Sequence, residues 1–149
     1  MLEAFDIVAI AAGIATALVT ALLAGAALGM GIASDAISAA RKNGLDLDEY
    51  DPDEIDAQLE EAFEKASDDP LLGWQMLAIS LTVSALSGAV TGWLAPQSPL
   101  LNAAVVGGTG TIIGMVSGQE ELRRLPSFLR IGATLSTLPA TLSGAWMAA

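Results

Sequence analysis

Along the chain, apolar residues fall into four long blocks separated by shorter polar stretches. The blocks are Ile7–Ala33, Leu71–Leu94, Leu100–Gly118 and Leu125–Ala148. The first three contain no Asp, Glu, Lys or Arg, and the fourth has only Arg130 near its start. A bilayer core is crossed by about 20 helical residues. The pattern therefore predicts four transmembrane helices. The first block is too long for a cleaved signal peptide, and Glu3 and Asp6 precede it instead of a basic segment. It reads as a retained span.

Punctuation agrees with these limits. Asp51-Pro52, Asp69-Pro70 and Ser98-Pro99 each offer an N-cap followed by Pro at the first helical position, where a missing N–H costs nothing. The first helix is expected to continue to Asn43, with Arg41 and Lys42 in its last turn and Gly44 beyond it. Pro139 lies inside the fourth block and predicts a kink.

Small residues recur at every fourth position in each block. They include Gly25 and Gly29 in the first, Gly88 and Gly92 in the second, Gly110, Gly114 and Gly118 in the third, and Gly132 and Gly144 in the fourth. In lipid, close backbone approach along such stripes supplies the dispersion contacts that hold helices together. The expected fold is an all-α integral membrane four-helix bundle, one membrane domain over residues 1–149, packed through these glycines.

The polar connections set the orientation. Arg41, Lys42 and Lys65 lie in the first connection and Arg123 and Arg124 in the third, whereas the N-terminus, the Ala95–Ser98 turn and the C-terminus have no Lys or Arg. The positive-inside rule then puts both basic connections inside and both termini outside. Trp74, Trp93 and Trp146 fall near block ends, where interfacial anchors belong.

Residues 46–69 carry twelve of the seventeen acids. Ile55, Leu59, Ala62 and Phe63 recur among them at helical spacing, which predicts a short acidic amphipathic helix within the inner connection 45–69. The plain reading is a solvated charged face. The sharper one is docking of an internal partner through Ile55, Leu59 and Phe63, flanked by Glu60 and Glu61. A calcium loop starting at Asp46 fails, because its sixth position is Asp51 and its twelfth is Ala57.

Composition removes several functions. The 149 residues (15.1 kDa) are 53% hydrophobic with a mean hydropathy of +0.57, more than one soluble core of this size would bury. Without Cys or His there is no disulfide, thiolate metal site or Ser-His-Asp arrangement. The glycines of Gly107–Thr111 lie inside a span and miss the dinucleotide spacing at Ile113. No catalytic, cofactor-binding or metal-binding residues are expected, and enzyme activity is not. A net charge of −11 disfavours nucleic acid. Membrane lipids, further copies of the chain, or another membrane or virion protein are the expected partners. The acid excess suggests a halophilic, haloarchaeal source, where high salt screens self-repulsion.

Two resemblances bear on function. Ala24–Lys42 resembles the glycine-rich first helix and basic loop of rotary ATPase proteolipids, but the next span lacks that family's intramembrane carboxylate. The assignment fails there. The whole pattern of size, four spans, acid bias and a larger inner connection resembles the small internal membrane protein of haloarchaeal pleomorphic viruses (pleolipoviruses). This resemblance rests on architecture and transfers no residue roles. It implies a structural envelope protein lining the inner membrane face beside a separate spike protein. The alternative class is a small channel, holin-like protein or transporter subunit of a halophile membrane.

Overall fold

The computed structural model describes residues 5–42, 57, 60–62, 64–65, 69–117 and 127–149. Helix α1 spans Ile7–Lys42, α3 Pro70–Leu94, α4 Pro99–Ser117 and α5 Ser127–Ala148. Helical residues 57, 60–62 and 64–65 form α2, within the acid-rich connection. Gly44, Gly118, Arg123 and Arg124 lie outside the described residues, as do Ile55, Leu59 and Phe63.

Local chemistry explains where these helices begin. The Asp6 carboxylate accepts the Ala9 N–H at 2.9 Å, and the Asp6 carbonyl accepts the Ile10 N–H at 2.9 Å. These are the side-chain cap and the first main-chain bond of α1. At α3, extended Asp69 accepts the Leu71 N–H at 2.8 Å, and Pro70 occupies the first turn. After α3 the Ala95 N–H donates to the Thr91 carbonyl, and the Ser98 N–H donates to the Ala95 carbonyl. That tight turn delivers Pro99 to the start of α4 and makes α3 and α4 neighbours.

α3 is the hub. It packs most extensively on α5, then on α1 and α4, while α4 also packs on α5. Of the helix pairs in substantial contact, α1 and α4 share the sparsest seam. Burial is inverted relative to a water-soluble domain. The buried apolar side chains are Ala9, Ala95, Ala103, Val106 and Ala145, accompanied by Ser84, Ser87, Thr91, Asn102 and Thr141. Large apolar side chains face outward instead, including Leu22 at 73% exposure, Val116 at 74% and Met147 at 80%. Water would penalise such a surface, whereas hydrocarbon does not. Trp74, Trp93 and Trp146 are also exposed. The chain is a helical, largely apolar multi-span protein, consistent with an integral membrane protein in contact with lipid.

The expectation of four equivalent spans in a clean four-helix bundle is corrected. The described residues hold five helices, and three are long and apolar enough to cross a membrane: Ile7–Ala39, Pro70–Leu94 and Pro99–Val116. The block at 125–148 forms α5, which has sufficient length at 22 residues but is the least apolar of the four long helices. Arg130 near its start lowers that apolarity most, Thr134, Ser136, Thr137, Thr141 and Ser143 dilute it further, and Pro139 interrupts it. α1 continues past Ala33 to Lys42, as expected, with Asn43 outside the described residues.

Candidate functional site

The helices are sealed at one end and separated toward the other. At the sealed end, Asn102 is fully buried on α4. Its Oδ1 accepts the Asp6 N–H at 2.9 Å, and its Nδ2 donates to the Ser98 carbonyl at 2.9 Å. One side chain thus ties the start of α1 to the start of α4. Ala9, Thr91, Ala103 and Ala145, each fully buried, complete this layer from four helices.

Glycine makes that closeness possible at a few positions. A Cβ on Gly88 would overlap the Thr141 carbonyl, and one on Gly144 would overlap the Ala85 carbonyl. At Gly92 it would lie 2.6 Å from the Ala145 carbonyl oxygen. Here α3 and α5 meet backbone to backbone. Gly13 brings α1 against α3, where an added Cβ would overlap the Thr91 hydroxyl, and Gly107 brings α4 against α5, where one would lie 3.1 Å from the Leu138 and Thr141 side chains. Gly110 has only ordinary contact with Thr137, at 3.4 Å. Gly25, Gly29, Gly114 and Gly132 have no neighbour within 4 Å of an added Cβ.

Beyond this layer the helices enclose a cleft of about 440 Å³, within the range of small-molecule pockets, about 300–1,000 Å³. α1 lines it from Ile14 to Leu28, α3 from Gly73 to Ser87, α4 from Val106 to Gly114 and α5 from Ala133 to Thr141. At 1.5 Å per residue, the walls run about 12–21 Å along the helix axes. The lining is aliphatic with interspersed hydroxyls and includes no charged residue.

Six of the lining hydroxyls are turned back onto their own helices. Ser84 donates to Ser80, Ser87 to Ser84, Thr109 to Val105, Thr111 to Gly107, Thr137 to Ala133 and Thr141 to Thr137, all to backbone carbonyls at 2.7–2.9 Å. Such bonds satisfy the O–H within the helix and leave only weak acceptor capacity toward the cleft. No base lines the cleft to activate these hydroxyls as nucleophiles. Among the described residues, no three Asp or Glu converge as metal ligands.

Glu60 and Glu61 are exposed on α2, and the Lys65 ammonium sits 2.7 Å from the Glu61 carboxylate across one turn. The hydrogen bond from Lys65, reinforced by its charge, holds the Glu61 carboxyl below its ordinary value.

Of the glycines singled out from spacing, the structure brings Gly88, Gly92 and Gly144 to the α3–α5 contact. Gly25, Gly110 and Gly114 line the cleft instead. The spacing argument missed Gly107 and the polar seal at Asn102, Asp6 and Thr91. Asn102 was visible as an amide inside an apolar block, and Asp6 as a cap before one. Compared with known proteins, the chain matches no family model, no curated protein and no solved structure.

Proposed function

We propose that the protein is a structural, non-catalytic component of a lipid envelope from a halophilic source, viral or vesicular. The N-terminus lies outside and residues 45–69 lie inside, while the expected outside C-terminus falls with the fourth span. The observation that carries this reading is the inverted burial pattern, in which small and polar residues pack inside while a continuous apolar exterior meets lipid. The acid-rich connection, with little other polar mass, supports an internal face exposed to high salt. The sealed layer around Asn102 and Thr91 supports a packing role, because it closes one end of the uncharged cleft between the helices.

The test is abundance in particles. Membrane particles floated from spent medium of the source culture should be enriched in this protein over the cell membrane, at a copy number rivalling any spike protein. Confinement to the cell membrane would reject the envelope role. The hydroxyl-lined cleft favours a second reading, a small channel, holin-like protein or transporter subunit. That reading requires ion or solute flux through liposomes carrying the pure protein, whereas the structural role leaves them sealed.

A further inference from the structure

We infer that the cleft between α1, α3, α4 and α5 is a binding site for one hydrocarbon chain of a bilayer lipid, entering sideways between α1 and α4. The inference rests on the chain spanning a bilayer and not on whether that bilayer is an envelope. Three observations carry it. First, the α1–α4 seam is the sparsest of the substantial helix contacts, and its lips are apolar and exposed: Leu18 at 57% on α1 and Ile113 at 50% on α4, with Met76 at 40% on neighbouring α3.

Second, the lips lie at membrane depth. Leu18 is eleven residues into α1 and Ile113 fourteen into α4, about 17 Å and 21 Å from the sealed-end starts of these helices. What meets the opening there is lipid tail, not water. Third, the lining is complementary to an uncharged chain and to little else. It has no charge to recognise a headgroup or an ion, and six of its hydroxyls already donate to backbone carbonyls of their own helices. Left empty, the walls would lack dispersion partners along an elongated void, and a flexible hydrocarbon chain restores them.

The absence of cysteine makes the test direct. The full chain is reconstituted with a phosphatidylcholine carrying a photoactivatable diazirine in one acyl chain, irradiated, and mapped by mass spectrometry. Labelling is expected to concentrate on the cleft-lining stretch between Ser80 and Ser87. It should be lost in Gly25→Leu and, separately, in Gly114→Leu, whose side chains enter open space inside the cleft. Gly29→Leu and Gly132→Leu add the same bulk in open space outside the lining and should leave labelling unchanged. Labelling spread evenly over the outer apolar faces, or unaffected by both filling variants, overturns the assignment. A disulfide between two copies of Ser84→Cys, formed under oxidation, would assign the cleft to a neighbouring chain's helix and overturn the assignment. Rapid reaction of Ser84→Cys with a charged, water-soluble thiosulfonate would show a hydrated vestibule and also overturn it. None of these outcomes depends on particle enrichment, so the two proposals fail independently.

Discussion

One methyl group distinguishes two kinds of glycine in this chain. At Gly88 the methyl would collide with the Thr141 backbone, which cannot rotate away as a side chain can. Gly88→Ala should therefore push α3 from α5 and lower stability by about 1–3 kcal/mol, the usual cost of overpacking. Gly25→Ala meets nothing and should stay within about 0.5 kcal/mol of the parent, as exposed substitutions do. Reversible unfolding in mixed micelles measures both, and equal effects would remove the distinction. The spacing of small residues is the same at the two sites, so sequence alone does not separate them. What differs is whether another helix's backbone crosses there. The Asp6–Asn102 bond was hidden for a similar reason, since its partners are 96 residues apart.

At the scale of elements, the ends of helices were the most legible feature. Asp69-Pro70 carries its own geometry, because an extended acid accepts an early amide and Pro needs no donor. The spanning character of α5 was less legible. A block count treats single interruptions as tolerated, yet Arg130 near the start, Pro139 in the middle and the Ser and Thr between leave the helix short of the apolarity shown by α1, α3 and α4. α2 offers a pH test. Its Glu61 is held below the ordinary carboxylate value by Lys65, so the pair's contribution is fully present above that ordinary value. It is lost as pH falls through the lowered one. Lys65→Ala should move the Glu61 titration upward in an NMR pH series while global unfolding stays unchanged, because both groups are solvent-exposed. A titration that does not move would mean the pair does not persist in solution.

For the whole molecule, the unequal lengths of the helices have a mechanical consequence. The charge-free part of α1, from Ile7 to Ser34, is about 42 Å long, and α4, with 19 residues, is about 29 Å. A hydrocarbon core of about 30 Å fits α4 upright but obliges α1 to lean. Hydrophobic mismatch thereby couples bilayer thickness to the angle between the two helices. Spin labels on a Leu18→Cys, Ile113→Cys double variant should move apart in short-chain lipids and approach in long-chain ones, as read by pulsed electron resonance. A constant separation would make the pair of helices rigid. If the separation changes, the protein is a thickness gauge, most open where the membrane is thinnest.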